Sequence, residues 1–233
     1  MRGVGRDRRP RAAQRRRRRS LKPLLIIGSG GFARETLELV RAINRASASW
    51  RLLGVLDDDP RTHGRQVHGV DVIGSSAAVH DHPDALVAAC VASPEDPLRR
   101  VALIERLALP PERYATLVHP AAVVPESATI GPGSVLHAGT VLTADVALGG
   151  HVAVMPAVVL THDDVVEEGV TFGAGARVAG NVTIERGAYV GSGALVREGL
   201  RIGRGAVIGM GAVLTRDVPA GEVWAGVPAR RFR

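Results

Sequence analysis

The chain has one cysteine, few aromatic residues and no long apolar run, and each shortage excludes a class of protein. Cys90 alone among 233 residues cannot build an internal disulfide framework, which fits a reducing compartment. No apolar stretch reaches the length of a membrane-spanning helix. Aromatic residues are only 3% of the chain while glycine occurs 28 times, which favours tight turns around narrow layers over a helical bundle. We therefore expect a cytoplasmic protein without a membrane partner.

The positive charge is concentrated at the start of the chain. The net charge is +7, yet residues 1–20 hold ten arginines and one aspartate, which leaves 7 − 9 = −2 for the rest. Such a segment cannot bury apolar surface, so residues 1–21 are predicted to be a disordered tail. Contact with nucleic acid or anionic lipid is one hypothesis for it. We favour a solvated extension, and expect no nucleic acid partner for the folded body.

Residues 22–117 alternate between strand and helix patterns. The segment LLIIGSGGFARETLELVRAI reads as a strand, a glycine turn and an amphipathic helix. Apolar strands are predicted at 51–60 and 85–93, and a helix at 96–109. This alternation predicts a small, largely parallel, Rossmann-like α/β domain.

From residue 118 to the C-terminus the pattern has a period of six. All sixteen residues at six-residue intervals from Val124 to Leu214 are apolar. Six steps of about 100° do not keep one face of an α-helix, whereas an even period agrees with strand alternation. The fourth position of each hexad is mostly Gly, Asn or Asp, which enter left-handed backbone conformations at least cost. The pattern predicts coils of eighteen residues with three corners each, stacked into a β-helix.

Five motifs in order extend this pattern to a family resemblance. They are GSGGFARE, LDDDP, VHPAAVV, THD and WAGVPARR. With the hexads they resemble the hexapeptide-repeat acyltransferases, in particular the bacterial sugar acetyltransferases that N-acetylate UDP-4-amino-sugars or O-acetylate sialic acids. The resemblance implies a left-handed β-helix over 118–233 and a nucleotide-sugar-binding domain over 22–117. It also implies transfer of an acetyl group from acetyl-CoA to an amino or hydroxyl group of a sugar.

The hexad LTHDDV, residues 160–165, places an imidazole and a carboxylate at a corner. Acyl transfer from a thioester needs a base that works near neutral pH, and an adjacent carboxylate can orient an imidazole and stabilise its protonated form. The resemblance implies that His162 is the general base and that Asp163 raises its basicity. Asp164 stands where every other hexad is uncharged. It either points inward with a raised pKa or marks a distorted, solvated corner.

The turn GSGGFA, residues 28–33, is a variant of the dinucleotide-binding glycine pattern. With Asp57 to Asp59 after the second strand it would suggest NAD binding. The resemblance assigns the turn and these acids to the sugar acceptor instead, through Gly30, Gly31, Phe32, Asp57 and Asp58. Glycines needed only for a tight turn remain the structural alternative.

The resemblance places acetyl-CoA in a groove between neighbouring β-helices of a homotrimer. Its donor contacts correspond to Thr171, Ser192 and Met210, and nearby arginines could meet the phosphates. The acceptor, N- versus O-acetylation and the acyl chain length stay open.

Two other functions compete with this one. The first is a catalytically silent β-helix protein that binds a nucleotide. The second is a zinc enzyme like the β-helical carbonic anhydrases, since His119 and His137 are one coil apart. The next position in that series is Met155, a poor zinc ligand, so no metal is expected. Cys90, in a predicted strand, is expected to be an inert buried thiol.

Overall fold

The computed structural model describes residues 21–232, which form a mixed α/β sheet followed by a long β-helix. Apart from Leu21, the predicted tail over residues 1–21 lies outside the described residues. Within the described part, no helix is both long and apolar enough to cross a membrane.

The α/β part has five strands and two helices. Their bounds are β1 (Lys22–Ile27), α1 (Gly31–Ala46), β2 (Trp50–Leu56), β3 (Gln66–Val67), β4 (Val70–Gly74), β5 (Leu86–Ala89) and α2 (Arg99–Leu107), with 3₁₀ turns at Pro60–Thr62, Ser76–Asp81 and Pro111–Arg113. The sheet order is β3-β4-β2-β1-β5, with β1 parallel to β2 and β5, and β2 parallel to β4. The hairpin of β3 and β4 was not predicted, because it is a short, largely exposed pair at the sheet edge without a continuous apolar run.

The β-helix is built from two-residue strands. They are β6 (Leu117–Val118), β7 (Thr129–Ile130), β8 (Val135–Leu136), β9 (Val141–Leu142), β10 (Ala147–Leu148), β11 (Ala153–Val154), β12 (Val159–Leu160), β13 (Val165–Val166), β14 (Thr171–Phe172), β15 (Arg177–Val178), β16 (Thr183–Ile184), β17 (Tyr189–Val190), β18 (Leu195–Val196), β19 (Arg201–Ile202), β20 (Val207–Ile208), β21 (Val213–Leu214), β22 (Val223–Ala225) and β23 (Arg230–Arg231).

Three parallel faces result from these strands. The first face contains β7, β10, β13, β16 and β19, the second β6, β8, β11, β14, β17, β20, β22 and β23, and the third β9, β12, β15, β18 and β21; the terminal β23 pairs antiparallel with β22. Neighbours within a face are eighteen residues apart, as in the pairing of Val159 with Arg177. The predicted three-sided coil of eighteen residues is confirmed.

Three kinds of corner connect the faces. Corner I joins the first face to the second, corner II joins the second face to the third, and corner III joins the third face to the first. The nine glycines at the fourth hexad position all have positive φ, as do Asp145, Asp163 and Asn181. The predicted left-handed conformation of Asp217 is wrong. The regular coils end just before it, and its carboxylate instead accepts a hydrogen bond from the backbone N–H of Arg201 at 2.9 Å.

Arg100 joins the α/β part to the β-helix. It lies on α2, is 3% exposed, and donates to carbonyl oxygens on both sides of the contact. Its acceptors are the backbone oxygens of Val91 (2.9 Å), His151 (2.9 Å), Gly169 (3.0 Å) and Val170 (3.1 Å), and Oγ1 of Thr171 (2.7 Å). Burial lowers the pKa of this guanidinium to about 10, so it remains a cation at neutral pH. The sequence signals this contact only through the position of Arg100, which shares the apolar side of α2 with Leu103 and Leu107.

Replacement of this arginine tests the contact between the two parts. Arg100→Ala leaves several buried oxygens without a donor and is expected to lower the free energy of unfolding by about 3 kcal/mol or more. Arg99→Ala, one position earlier on the exposed side of α2, is the matched control and should cost well under 1 kcal/mol. Urea unfolding curves of the two variants that coincide would contradict the structural role of Arg100.

Candidate active site

His162 and Asp163 lie on corner III, between β12 and β13. The backbone of Asp163 is left-handed (φ 62°), and its N–H donates to the carbonyl oxygen of Ala144 in the previous coil at 3.1 Å. The two side chains are 58% and 55% exposed, so both project from the outer surface of the solenoid. The turn that closes the coil therefore also presents an imidazole to solvent.

The imidazole is oriented by the neighbouring carboxylate. Nδ1 of His162 lies 2.9 Å from Oδ2 of Asp163, so the ring donates its Nδ1–H to the carboxylate. In the neutral ring this bond leaves the lone pair on Nε2, which is the atom able to accept a proton. The same carboxylate stabilises the imidazolium after proton transfer, so the pair has the arrangement of a general base and its orienting group.

Gly180 supports the ring from the next coil. It is buried although it lies on corner III, and a Cβ on it would come within 2.4 Å of Cε1 and Nε2 of His162. The backbone N–H of Asn181 donates to the carbonyl oxygen of His162 at 2.9 Å and fixes the spacing of the two coils. Gly180 is not among the residues predicted from the sequence, yet its position eighteen residues after His162 is a signal that could have found it.

Asp164 points into the solenoid and is 0% exposed. Its Oδ2 accepts from the N–H of Thr161 and its Oδ1 from the N–H of Val182, both at 3.0 Å. Burial raises the pKa of this carboxyl to about 7, although the two hydrogen bonds oppose the rise. The inward alternative considered for Asp164 is confirmed, and the solvated, distorted corner is wrong.

His119 and His137 stack one coil apart beside α1. Burial, and then the proximity of His119, lowers the pKa of His137 to about 4, so this ring is neutral at physiological pH. Among residues 21–232, no group of three or more His, Cys, Asp or Glu side chains is placed to share a metal ion. Burial also raises the pKa of Cys90 to about 12, which keeps this thiol protonated and unsuited to act as a nucleophile.

A cavity of about 530 Å³ opens at the carboxyl ends of β1, β2 and β5. Its walls include Gly28, Asp57 and Asp58, with Arg99 and Arg106 from α2. Asp58 is fixed by the N–H of Ser76 (2.8 Å) and by Nη2 of Arg106 (2.6 Å). The two arginines were not predicted as site residues, although their spacing of seven puts them on one side of the helix.

The other predicted acceptor residues lie outside that cavity. Gly30 caps the N-terminus of α1, Gly31 is its first residue, and both are exposed. Phe32 instead turns toward the β-helix, where its ring lies 6.1 Å from that of His137 and 5.8 Å from the guanidinium carbon of Arg100. The structure thus brings Asp57 and Asp58 together but separates them from Phe32.

The predicted donor residues are divided between two places. Ser192 and Met210 are exposed on corner II in successive coils, and the N–H of Gly211 donates to the carbonyl oxygen of Ser192 at 2.8 Å. Thr171 is only 6% exposed on the second face, and its hydroxyl accepts a hydrogen bond from Arg100. The side chain of Thr171 therefore belongs to the contact between the two parts of the chain, and a donor contact at this residue stays a prediction.

Corners II and III lie at opposite edges of the third face. His162 is on one edge, while Ser192 and Met210 are on the other. The outward side chains of the face between them are mostly apolar: Val123, Val141, Val159, Arg177, Leu195 and Val213. Val123 and Leu195 are 57% and 43% exposed. The third face is thus an apolar surface bounded by both predicted sites.

Comparison with known proteins identifies relatives for both parts of the chain. Residues 23–92 match the family described as PglD N-terminal domain, and residues 181–216 match the hexapeptide repeat of succinyl-transferase. A curated relative, UDP-N-acetylbacillosamine N-acetyltransferase of Bacillus subtilis (strain 168), is 34% identical over 124 residues. That alignment covers 51% of this chain and spans about half of the relative, 52% of its length.

Solved structures match nearly the whole chain. The acetyltransferase domain of PglB from Neisseria gonorrhoeae FA1090 is 30% identical with a TM-score of 0.78, covering 91% of this chain and 100% of that one. It has also been solved with acetyl coenzyme A. PerB from Caulobacter crescentus, in complex with CoA and GDP-perosamine, is 27% identical with a TM-score of 0.79, covering 91% of this chain and 97% of that one.

The contact between Gly180 and the His162 ring gives a direct test of ring placement. Gly180→Ala should preserve the fold, because the ring can swing into solvent, but should displace Nε2 from its observed position. Misplacement of a reacting group by about 1 Å can cost on the order of 100-fold in rate, so we expect turnover to fall by about 10-fold to 100-fold. Steady-state kinetics and the melting temperature are the readouts. Ala144→Gly, at the same hexad position two coils earlier, is the control, and turnover in Gly180→Ala equal to that control would contradict the assigned ring position.

Proposed function

The chain belongs to the hexapeptide-repeat sugar acetyltransferases with a left-handed β-helix, and on this basis we propose that it transfers an acetyl group from acetyl-CoA to an amino or hydroxyl group of a nucleotide-linked sugar. The observation that carries the proposal is the His162–Asp163 pair, an oriented and exposed base on an otherwise regular solenoid.

In this reaction His162 acts on the attacking atom of the sugar. Nε2 accepts the proton of the amine or hydroxyl as that group forms its bond to the acetyl carbon. The carbon–sulfur bond breaks, and the leaving thiolate of coenzyme A receives a proton from the imidazolium. Asp163 holds the ring through Nδ1 and stabilises the imidazolium. The buried, protonated thiol of Cys90 supports direct transfer without an acyl-enzyme.

The α/β part is assigned to the nucleotide portion of the acceptor. The cavity at the ends of β1, β2 and β5 combines the acids Asp57 and Asp58 with Arg99 and Arg106. Arginine forks suit phosphate oxygens, and carboxylates suit ribose hydroxyls or base amino groups. Gly30 and Gly31 add exposed backbone at the N-terminus of α1, where the helix dipole favours an anion.

The donor is assigned to a groove completed by a second subunit of a homotrimer. A single chain places His162 on corner III and the donor candidates Ser192 and Met210 on corner II. If three identical chains turn their third faces toward a common threefold axis, corner II of one chain meets corner III of the next. The apolar third face supports this packing, since exposed apolar surface of this kind marks interfaces.

Loss of the base is the first test of this function. His162→Ala should lower acetyl transfer by about 100-fold to 10,000-fold, the range that general-base catalysis contributes. The assay follows release of free thiol from acetyl-CoA with a panel of nucleotide-linked amino-sugars and sialic acids. His80→Ala, an exposed histidine of the α/β part, is the control. Full turnover in His162→Ala would refute the base, and absence of thiol release with every acceptor would favour the non-catalytic, nucleotide-binding alternative.

Disruption of the third face tests the oligomer. Leu195→Asp puts a charge on the apolar third face and should convert a trimer into monomers that lack acetyl transfer. Thr183→Asp, on an outward position of the first face, is the control and should remain trimeric. The molar mass of each variant, measured by light scattering, distinguishes trimers from monomers. A Leu195→Asp protein that stays trimeric and active would show that the subunits meet elsewhere.

A further inference from the structure

Asp164 carries a carboxylate inside the β-helix, and the proposed transfer of a proton from the acceptor to His162 does not use it. Inner positions of the solenoid are otherwise filled mainly by aliphatic side chains, and the same hexad position is Val146 one coil earlier and Val182 one coil later. Burying a charged group with 0% exposure in such a core costs free energy, unless hydrogen bonds compensate for the lost hydration.

The contacts of Asp164 enclose the corner that carries the base. Its Oδ2 accepts from the N–H of Thr161, the residue directly before His162, and its Oδ1 accepts from the N–H of Val182, directly after Asn181. Asn181 in turn donates its N–H to the carbonyl oxygen of His162 at 2.9 Å. One side chain thus ties the His162 corner to the corner of the next coil, where Gly180 supports the imidazole ring.

A second polar residue inside the β-helix, Ser134, shows which of these hydrogen bonds also occurs away from the His162 corner. Ser134, on corner I, accepts the N–H of Val152 in the next coil at 3.0 Å, just as Asp164 accepts the N–H of Val182. Ser134 donates its own hydroxyl hydrogen to the carbonyl oxygen of Gly149 at 3.0 Å, three residues before Val152. Both residues tie successive coils together, but the bond of Asp164 to the residue preceding His162 has no counterpart at Ser134.

We propose that Asp164 is a positioning residue for the base: its ionised carboxylate holds the Thr161–His162 backbone and the Gly180–Asn181 corner in the geometry that catalysis needs. The inference rests on the proposed function, since it assigns a second group to the same reaction. Asp164 touches neither substrate nor the reacting atoms, and acts through His162.

The carboxylate makes both bonds at full strength only when it is ionised. Protonation turns one oxygen into an O–H group, which is a weaker acceptor than a carboxylate oxygen for the N–H that faces it. Burial raises the pKa of Asp164 to about 7, so the group keeps its proton below that pH and loses it above. The charged groups that act on it are His162 and Asp163 of its own corner, while the adjacent coils present Val146 and Val182. Both His162 and Asp164 therefore have to be deprotonated for full activity.

The pH dependence of kcat/KM separates this role from simple packing. Because two groups must lose a proton, the acid limb of the logarithmic plot should approach a slope of 2 in the natural protein. Asp164→Asn keeps the shape but offers only one acceptor oxygen, so we expect a slope of 1 and a fall in kcat of about 10-fold, with the KM for acetyl-CoA unchanged. A wild-type slope of 1, or an Asp164→Asn protein with wild-type kcat and slope, overturns the proposal.

Two further variants keep the test decisive. Asp164→Ser introduces the side chain found at Ser134, so it should retain the hydrogen bond to Val182 and lose the one to Thr161. We expect the same loss of kcat as in Asp164→Asn. This variant therefore replaces Asp164→Asn if that protein does not fold. Ser134→Ala removes an inner hydrogen bond on corner I and should keep wild-type kcat and slope; a loss equal to that of Asp164→Ser overturns the special role of Asp164.

The His162→Ala protein separates failure of this inference from failure of the proposed function. Its inactivity together with a wild-type Asp164→Asn profile overturns the positioning role alone. Full turnover in His162→Ala overturns the base assignment, and the inference with it.

Discussion

Backbone hydrogen bonds between coils eighteen residues apart are the constraint on which the rest of the structure depends. Most corner N–H groups donate to a carbonyl oxygen of the coil before, as in the bonds from Asp163 to Ala144 (3.1 Å) and from Asn181 to His162 (2.9 Å). This ladder fixes the position of each corner along the axis of the β-helix. A side chain on a corner is therefore held at a fixed position along that axis. A base on such a corner is held by the scaffold and needs little support from loops.

Three residues that differ from the commonest type at their hexad positions meet around the base. Asp163 replaces the usual corner glycine, Asp164 replaces an inner aliphatic residue, and Gly180 leaves room for the imidazole. Gly180 and Asp164 would weaken a plain solenoid, because glycine loses more conformational freedom on folding and the burial of a carboxylate is unfavourable. Their convergence on one corner is therefore better explained by chemistry than by packing.

Much of the fold could be predicted from the sequence, because a period of six determines strand pairing, coil length and inner faces together. His162, Asp163 and the inward direction of Asp164 follow from the same register. The β3–β4 hairpin lacks an apolar run long enough to signal a strand. Contacts such as that of Arg100 with Thr171 depend on how the two parts of the chain pack, which no local pattern encodes.

The central claim is that Nε2 of His162 receives the proton of the acceptor in a groove shared between subunits. A crystal structure with coenzyme A and the acceptor that gives the highest turnover tests it most directly. The account predicts the attacking nitrogen or oxygen within about 2.6–3.2 Å of Nε2, with the thiol in the same groove, bordered by Ser192 and Met210 of a neighbouring subunit. An attacking atom far from His162 and next to another proton acceptor would contradict it.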